Sequence, residues 1–339
     1  MPPPSGGVSI HIKRLSKLIE KDFEIDYIDE SRNVKVNYFN IRSYNLIQYF
    51  KKVIKADLIY IHSGTTLQRV FHIASGKIFA KKIIVTLHAY PFVKKMIQKK
   101  IDEFFFNWAN LVISVNNEIL NNISLNKEKC LVKHAFLPPD LEIETELPGY
   151  LKEWITKEKN IGKYIICANA IRIDIFDGLD LYGLDMCIRV AKSLNNSHSP
   201  VSFVFNVSSL EKNKDLYLKY ERLIKELNLV DNFLLINEEL SFVNLILESD
   251  IVVRPTATDG DALTVREALF LGKKIIASDV VSRPAETILF KSRDLHDFEN
   301  KIKYAISLNS KFSYPKINED IEEYKDFYSQ FINSVMSSK

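Results

Sequence analysis

Short hydrophobic runs alternate with longer segments of helical period along most of the chain. In the first half, the hydrophobic runs predict β-strands at residues 23–29, 57–63, 82–88, 111–115 and 130–136. The segments between them predict helices at 8–21, 44–55 and 93–109. Strands rich in Ile, Val and Leu that alternate with helices are typical of parallel sheets with helices on both faces. The pattern therefore predicts an α/β fold.

A second series of the same kind follows. Its predicted strands lie at 163–170, 201–207, 232–236, 250–255 and 274–279, with helices near 184–195, 213–228, 241–248 and 262–271. Residues 137–154 contain three prolines and many acids, which is typical of an interdomain connection. We predict two doubly wound domains, at 1–140 and 161–316, joined by a connection at 141–160.

Composition narrows the class of protein. A chain of 339 residues can build two cores of ordinary domain size. Its net charge of +3 is too small to indicate a nucleic-acid partner. The three cysteines lack CxxC spacing, which argues against a disulfide framework or a zinc site and fits a reducing cytoplasm. No hydrophobic run approaches the length of a membrane span, and the first residues have no secretory-signal pattern. We therefore predict a cytoplasmic protein.

The N-terminus departs from the expected fold. Gly6 and Gly7 precede the first predicted helix, as they would in a strand–turn–helix phosphate loop. Only MPPPS precedes them, and three prolines cannot form a central strand. We therefore predict that the first strand of the N-terminal domain is missing.

The candidate chemistry concentrates in TDGDALTVREALFLG, residues 258–272, which follows a predicted strand. Asp261 suits the N-cap of the next helix, where a carboxylate accepts hydrogen bonds from free N–H groups, and Gly272 suits its end. Glu267 should lie about 9 Å along the helix, at about 1.5 Å per residue. Anions bind at helix N-termini. A phosphate there, with hydroxyl groups near Asp259 and Glu267, would describe a bound nucleotide-sugar.

Other candidates also follow strands. Ligands of doubly wound domains bind beyond the carboxyl ends of the strands. His88 ends one predicted strand, and Arg172 and residues 258–261 lie within a few positions of the ends of two others. They are therefore candidates for ligand-binding positions.

Several of these segments together resemble the retaining GT-B glycosyltransferases, in particular glycosyltransferase family 4. TDGDALTVRE followed by ALFLGKKIIASDVVSRPAE resembles the two acidic residues of that family with seven residues between them, here Asp259 and Glu267. GGVSIHIKRLSKLI (6–19) resembles its glycine loop and first helix, and VTLHAY (85–90) resembles its strand that ends in a histidine. GLDLYGLDMCIRVAKSL (178–194) resembles the start of the first helix of its donor domain.

This resemblance covers nearly the whole chain and implies an overall architecture. The two domains should be Rossmann-like and face each other across a cleft. The first should be the acceptor-side domain and the second the nucleotide-sugar donor domain. The final helix, residues 317–338, should pack back on the first domain.

The resemblance also implies roles for individual residues. Glu267 should hold the ribose hydroxyls, Asp259 should bind a hydroxyl of the transferred sugar, and His88 should lie beside that sugar. Arg172 should neutralise the diphosphate. The predicted catalytic residues are therefore His88, Asp259 and Arg172. The predicted donor-binding residues are Gly6, Gly7, Arg172, Asp259, Gly260, Asp261, Ala262, Leu263 and Glu267.

Three departures from the family pattern concern the donor site. The family's diphosphate-binding Lys is Tyr182 here, so Arg254, Lys273 or another cation would have to replace it. Asp259 is one methylene shorter than the usual Glu, and Ala262 stands where Gly is common.

The implied reaction is sugar transfer with retention at the anomeric carbon. The donor is a nucleotide-sugar, a UDP-sugar in preference to a GDP-sugar, and the acceptor is a hydroxyl of a glycan or polyprenyl-linked molecule. The family association indicates bacterial capsule, lipopolysaccharide or exopolysaccharide assembly. DGD at 259–261 has the form of a metal-binding DxD motif, but the helix N-terminus already supplies positive potential. We therefore predict no metal and no cofactor.

The segment KKMIQKKIDEFFFNWAN, residues 94–110, combines lysines with aromatic residues. A basic, aromatic helix can lie in an anionic membrane interface. Residues 94–108 therefore predict a peripheral contact with the cytoplasmic face of the inner membrane. The alternative is an amphipathic helix whose aromatic residues fill the core of the first domain.

Two other functions fit the same architecture. A nucleotide-sugar epimerase would need further acid–base groups in the site, and only His88, His62 and His134 are candidates. A catalytically inactive, nucleotide-sugar-binding partner subunit would account for the absent Lys and the missing first strand.

Overall fold

The computed structural model describes residues 7–31, 35, 37–88, 96–210, 213–260, 262–308 and 317–338. Gly6 and Asp261, both predicted donor-binding residues, lie outside the described residues, as do Lys94 and Lys95 of the predicted membrane segment. The chain divides into two compact units. One comprises Val8–Leu137 with Asp320–Lys339, and the other comprises Pro138–Glu319.

The N-terminal unit contains a parallel sheet covered by helices. Its elements in chain order are α1 (Gly7–Ile19), β1 (Ile28–Asp29), β2 (Phe39–Asn40), α2 (Leu46–Lys55), β3 (Leu58–Ile61), α3 (Thr66–Ile78), β4 (Lys82–Leu87), α4 (Met96–Phe106), β5 (Leu111–Ser114), α5 (Asn117–Asn121) and β6 (Cys130–Val132). Strands β3 to β6 form a four-stranded parallel sheet in sequence order, whereas β1 and β2 form a separate parallel pair. Among the described residues, no strand joins these two sheets. The predicted missing strand concerns positions before Gly7, which are not described.

The core of this unit forms on both faces of β4. Successive side chains of a strand point to opposite faces of a sheet. Ile83, Val85 and Leu87 accordingly join one buried cluster with residues of α3 and α4. Ile84 joins a second cluster with Leu15 of α1. The uninterrupted hydrophobic run of β4 is thus explained by burial on both sides.

The C-terminal unit is a doubly wound sheet. Its elements are α6 (Gly149–Asn160), β7 (Tyr164–Ala170), β8 (Ile175–Phe176), β9 (Leu179–Asp180), α7 (Leu184–Asn196), β10 (Val201–Val207), α8 (Lys214–Glu226), β11 (Phe233–Ile236), α9 (Phe242–Glu248), β12 (Ile251–Arg254), α10 (Leu263–Phe270), β13 (Lys274–Ser278), β14 (Ile288–Phe290) and α11 (Leu295–Ser307). The main sheet is parallel throughout, in the order β11-β10-β7-β12-β13-β14. This is the 3-2-1-4-5-6 order of a Rossmann-like fold. The predicted α/β class with parallel sheets is confirmed.

Besides the short antiparallel pair β8–β9, three elements of this unit differ from the sequence prediction. Part of the predicted connection, residues 149–160, forms helix α6, and its Leu151 and Ile155 are buried in the core. Its otherwise polar sequence hid this helix, because only a narrow stripe of apolar residues faces the sheet. Strand β14 is too short to show an alternating pattern, and the helix after it, α11, was not predicted either.

The last helix, α12 (Ile317–Ser337), belongs to the N-terminal unit from Asp320 onward. Its residues Tyr328 and Ile332 join the buried cluster that contains Leu15 and Ile84. The helix therefore completes the face of the sheet that α1 covers.

Candidate functional site

The candidate site of the C-terminal unit lies at the switch point of its sheet. The order of strands reverses between β7 and β12, and ligands of such sheets bind beyond the carboxyl ends of the strands at that point. Asn169 and Arg172 lie at and just after the end of β7, and Asp259 follows β12 after a short loop. Thr264 donates from Oγ1 to Asn169 Oδ1 at 3.0 Å, which ties the first turn of α10 to β7.

Asp259 is the centre of a buried charge network. Arg254 donates to both of its carboxylate oxygens, from Nε to Oδ2 at 3.0 Å and from Nη2 to Oδ1 at 3.2 Å. Arg283 donates from Nη2 to Oδ2 at 3.0 Å. The Thr256 hydroxyl and the Gly260 N–H also donate to Asp259, at 3.2 and 3.0 Å. Both carboxylate oxygens of Asp259 therefore accept hydrogen bonds within the unit. In this arrangement Asp259 positions two guanidinium groups.

This network is nearly sealed from solvent. The side chains of Arg254, Asp259 and Arg283 are 12, 9 and 2% exposed. Burial raises the pKa of Asp259, but attraction to Arg254 and then to Arg283 outweighs burial and holds the pKa below its usual 3.8. Two guanidinium charges face one carboxylate charge, so the network carries a net positive charge. Arg283 Nε is buried and has no acceptor among the described residues. One hydrogen-bond donor of this network is therefore left unsatisfied inside the described part of the unit.

Tyr182 occupies the position that the family pattern gives to a Lys. The Arg254 guanidinium lies over its ring, 5.1 Å from the ring centroid, which is a favourable cation–π geometry. The next residue, Gly183, has a φ of 71°, and a Cβ there would collide with the backbone of Pro255. Glycine is therefore required where the start of α7 approaches the loop after β12. That close approach brings Tyr182 against Arg254.

Two predicted cations lie outside this network. Arg172 donates from Nε to Asp174 at 3.0 Å, and its side chain is 45% exposed. Lys273 donates from Nζ to main-chain carbonyls at the end of α9. Of the two residues suggested as substitutes for the missing Lys, Arg254 contacts Asp259 and Lys273 does not.

Helix α10 begins one position later than the sequence predicts. Ala262 is the N-cap residue of α10 and provides no side-chain cap, whereas Asp261, the predicted cap, lies outside the described residues. The helix starts at Leu263, which places Glu267 about 6 Å along the axis instead of about 9 Å, at about 1.5 Å per residue. Glu267 is 4% exposed. Its carboxylate is therefore held inside the unit, one turn from the helix start. Gly272, with a φ of 68°, lies just beyond the last turn, as predicted.

His88 belongs to a histidine cluster in the N-terminal unit. It lies directly after β4, and its Nε2 is 3.0 Å from Nδ1 of His62, which follows β3. The ring of His11, on α1, lies 5.0 Å from the His88 ring. Burial first, and then the electrostatic influence of His11, lowers the pKa of His88 to about 3, so this imidazole is neutral near pH 7.

Gly7, the first residue of α1, is exposed.

Sequence reasoning missed Arg283 and His11. Arg283 lies in the loop after β13, 24 positions from Asp259 along the chain. The sequence gave one indication of Arg283, namely that it lies a few positions after the end of a predicted strand. His11 gave no signal, because nothing in the first helix distinguished a buried histidine from a surface one. Of the histidines considered for an epimerase, His134 is exposed and stands outside the cluster of the other two.

No protein-family model and no curated protein sequence matches this chain. Solved structures do match its fold over nearly its whole length. HepE of Anabaena, in complex with UDP and glucose, is 14% identical, with 98% of this chain and 96% of HepE covered and a TM-score of 0.71. A glycosyltransferase from Rickettsia africae is 17% identical, with 96% and 84% covered and a TM-score of 0.62. Sucrose-phosphate synthase from Thermosynechococcus elongatus is 13% identical, with 98% and 91% covered and a TM-score of 0.60. These similarities identify the fold as GT-B.

Proposed function

We propose that the protein is a retaining glycosyltransferase. It transfers a sugar from a nucleotide-sugar, a UDP-sugar in preference to a GDP-sugar, to a hydroxyl of a glycan or polyprenyl-linked acceptor. The observation that carries the proposal is the buried arginine pair on Asp259 at the switch point of the C-terminal sheet. The complex of UDP and glucose with HepE, which has the same fold, supports a UDP-linked donor.

The arginine pair supplies what the leaving group needs. The charge of a diphosphate grows as the sugar departs, and donors fixed in advance in a site shielded from water stabilise that charge most. Arg254 and Arg283 are fixed in this way by a single carboxylate, and Arg283 Nε has a hydrogen left to donate. In this proposal the pair replaces the family's Lys, at whose position Tyr182 packs against Arg254.

The other predicted residues take the remaining parts of the donor. Glu267 binds the ribose hydroxyls, and N–H groups from Gly260 to Leu263 face the phosphate or the sugar. Asp259 positions Arg254 and Arg283, which already donate to both of its oxygens. If Asp259 also binds a sugar hydroxyl, as predicted, one of these oxygens must accept from the sugar as well as from an arginine. His88, Arg172 and the glycines at positions 6 and 7 keep the roles that the resemblance implies. No side chain is assigned as a nucleophile, so the reaction relies on positioning and on stabilisation of the departing diphosphate.

Turnover of a UDP-sugar tests this function. The wild-type protein should release UDP, and the first-formed sugar product, followed by proton NMR, should keep the anomeric configuration of the donor. Arg283→Ala should lower kcat by about 100- to 1,000-fold, the usual cost of losing one donor to a developing negative charge. Arg189→Ala, at an exposed position of α7, is the matched control and should leave kcat unchanged.

Three results would contradict this proposal in different ways. A product of inverted configuration would exclude retention. Equal turnover by wild type and Arg283→Ala would exclude the assigned role of the arginine pair. UDP binding without any turnover would identify a catalytically inactive partner subunit.

A peripheral membrane contact through α4 is also part of the proposed function. Phe105, Phe106 and Trp108 pack in the core of the N-terminal unit, as the alternative for this segment predicted. Phe104 and Ile97 are nevertheless exposed on the same helix, together with Met96 and Ile101. None of the described helices is both long enough and apolar enough to span a bilayer. An exposed apolar strip with neighbouring lysines suits the surface of an anionic membrane.

The double variant Ile97→Glu/Phe104→Glu should weaken binding to vesicles that contain anionic phospholipid by about tenfold or more, since burial of each large apolar side chain contributes about 1.5–3 kcal/mol. Co-sedimentation measures the bound fraction. Ile161→Glu, at an exposed apolar position of the C-terminal unit, should bind as the wild type does. Equal binding by both variants would show that α4 does not contact the membrane.

A further inference from the structure

Three imidazole rings form a compact cluster in the N-terminal unit. The ring centroids of His11, His62 and His88 lie 5.0, 5.3 and 5.5 Å apart, so the rings form a nearly equilateral triangle. One ligand nitrogen of each ring lies within 4.8 Å of the corresponding atoms of the other two. The fold imposes this arrangement, because β3 and β4 are parallel neighbours whose carboxyl ends carry His62 and His88 at one edge of the sheet.

His11 presents an unprotonated nitrogen without a partner. Its Nδ1 is 2.7 Å from the main-chain oxygen of Ala135. A carbonyl oxygen only accepts, so Nδ1 carries the hydrogen and Nε2 keeps its lone pair. His11 is 2% exposed, and Nε2 has no hydrogen-bond partner among the described residues. A hydrogen bond from Nδ1–H to a carbonyl is the arrangement that fixes the tautomer of a metal-binding histidine.

His62 and His88 also direct nitrogen atoms toward each other. The Nδ1 of His62 and the Nε2 of His88 are 3.0 Å apart. A shared hydrogen satisfies this pair when no ion is bound. A metal ion would accept the lone pairs of both nitrogens once each ring carries its hydrogen on the other nitrogen.

We propose that His11, His62 and His88 bind a divalent transition-metal ion of the zinc class, with the remaining coordination position open to water. Tetrahedral Zn²⁺ with Zn–N bonds of about 2.0–2.1 Å needs nitrogens about 3.3 Å apart. One pair already lies at 3.0 Å, and small side-chain rotations bring the third nitrogen from within 4.8 Å. Three nitrogen ligands without a carboxylate favour Zn²⁺, Co²⁺ or Ni²⁺ over Mg²⁺, Ca²⁺ and Mn²⁺.

This site differs from what the sequence predicted and does not depend on the proposed function. The cysteine spacing and the DGD motif gave no reason to expect a metal, and the three histidines lie far apart in the sequence. The metal site shares His88 with the proposed transfer reaction, but its binding test uses neither nucleotide nor sugar. A failure of the metal site and a failure of sugar transfer can therefore be told apart.

Calorimetric titration of metal-free protein with ZnCl₂ tests the proposal. We expect one Zn²⁺ per chain with a Kd in the micromolar range or below, and no heat of binding with MgCl₂ at the same concentration. His62→Gln and His88→Gln should each raise the Kd for Zn²⁺ by more than about 100-fold, since even an outer-shell change costs roughly 10- to 100-fold. His296→Gln, at an exposed position of α11, is the control and should bind as the wild type does.

A spectroscopic measurement keeps the test valid if a variant does not fold. Co²⁺ bound to wild-type protein should give the intense visible bands of a tetrahedral, nitrogen-ligated ion, and Zn²⁺ should displace it. No Zn²⁺ binding, equal binding of Mg²⁺, or Zn²⁺ affinity unchanged in folded His62→Gln and His88→Gln would each overturn the proposal. The spectrum of a Co²⁺ ion surrounded only by water oxygens would overturn it as well.

Discussion

Glu267→Ala should abolish measurable binding of UDP. The Glu267 carboxylate is buried in the second turn of α10, and the proposed function places the ribose hydroxyls against it. Two hydrogen bonds to a charged group contribute about 1.5–3 kcal/mol each. Their loss should raise the Kd for UDP by more than about 100-fold. Calorimetric titration of UDP and GDP into wild type and variant measures this effect directly.

Two controls separate loss of binding from loss of fold. Glu226→Ala, at the exposed end of α8, should bind UDP as the wild type does. Far-UV circular dichroism and thermal melting should show that Glu267→Ala remains folded. Unchanged UDP affinity in a folded Glu267→Ala protein would contradict the assignment of this carboxylate to the ribose. If GDP bound more tightly than UDP, the donor would be a GDP-sugar and not the UDP-sugar assigned here.

The second large effect should be on stability, in Asp259→Asn. An amide cannot neutralise the two guanidinium groups of Arg254 and Arg283, which would be left buried and unpaired. Removing one partner from a buried ion pair costs about 3–5 kcal/mol. The free energy of unfolding of the C-terminal unit should fall by that amount. Urea denaturation can follow this unit alone through Trp154 fluorescence, in a Trp108→Phe background.

Asp174→Asn is the matched control for Asp259→Asn. Asp174 pairs with Arg172, whose side chain is 45% exposed, and exposed pairs contribute only about 0–1 kcal/mol. A similar loss of stability in both variants would show that Asp259 does not act as the anchor of a buried pair.

The stabilisation that the ion pairs of Asp259 provide should be lost at acidic pH. The folded-state pKa of Asp259 lies below 3.8, so its ion pairs contribute in full above that value. That contribution is lost as the pH falls through the folded-state pKa. The stabilities of wild type and Asp259→Asn should therefore differ at neutral pH and converge only below pH 3.8.

Much of the fold could be predicted from local sequence. Strands such as β4, β10 and β12 show the uninterrupted hydrophobic pattern of parallel strands buried on both faces, and they form where the pattern places them. Helix α6 was missed because its apolar stripe is narrow among many charged residues, so its periodicity is weak. Strand β14 was missed because three residues cannot establish a period.

The candidate site was predicted less completely. Asp259 and Glu267 were singled out as candidates because both lie in one segment with a recognisable spacing and follow a strand. The partners of Asp259 were not, since Arg283 reaches it from another loop, 24 positions further along the chain. Arg172 fits the family pattern by position, yet its ion pair is with Asp174, its own neighbour in sequence. Spacing therefore located the carboxylates but did not predict their counter-charges.

The sequence by itself determined the elements, their alternation and the strand ends at which chemistry would lie, because hydrophobic periodicity and turn residues act between neighbours in the chain. Only the tertiary structure decided which charges meet and which histidines are buried. Those outcomes depend on packing between elements distant in sequence, such as α1 against the ends of β3 and β4. That packing brings His11, which is buried, to His62 and His88, which are half-buried at the ends of their strands.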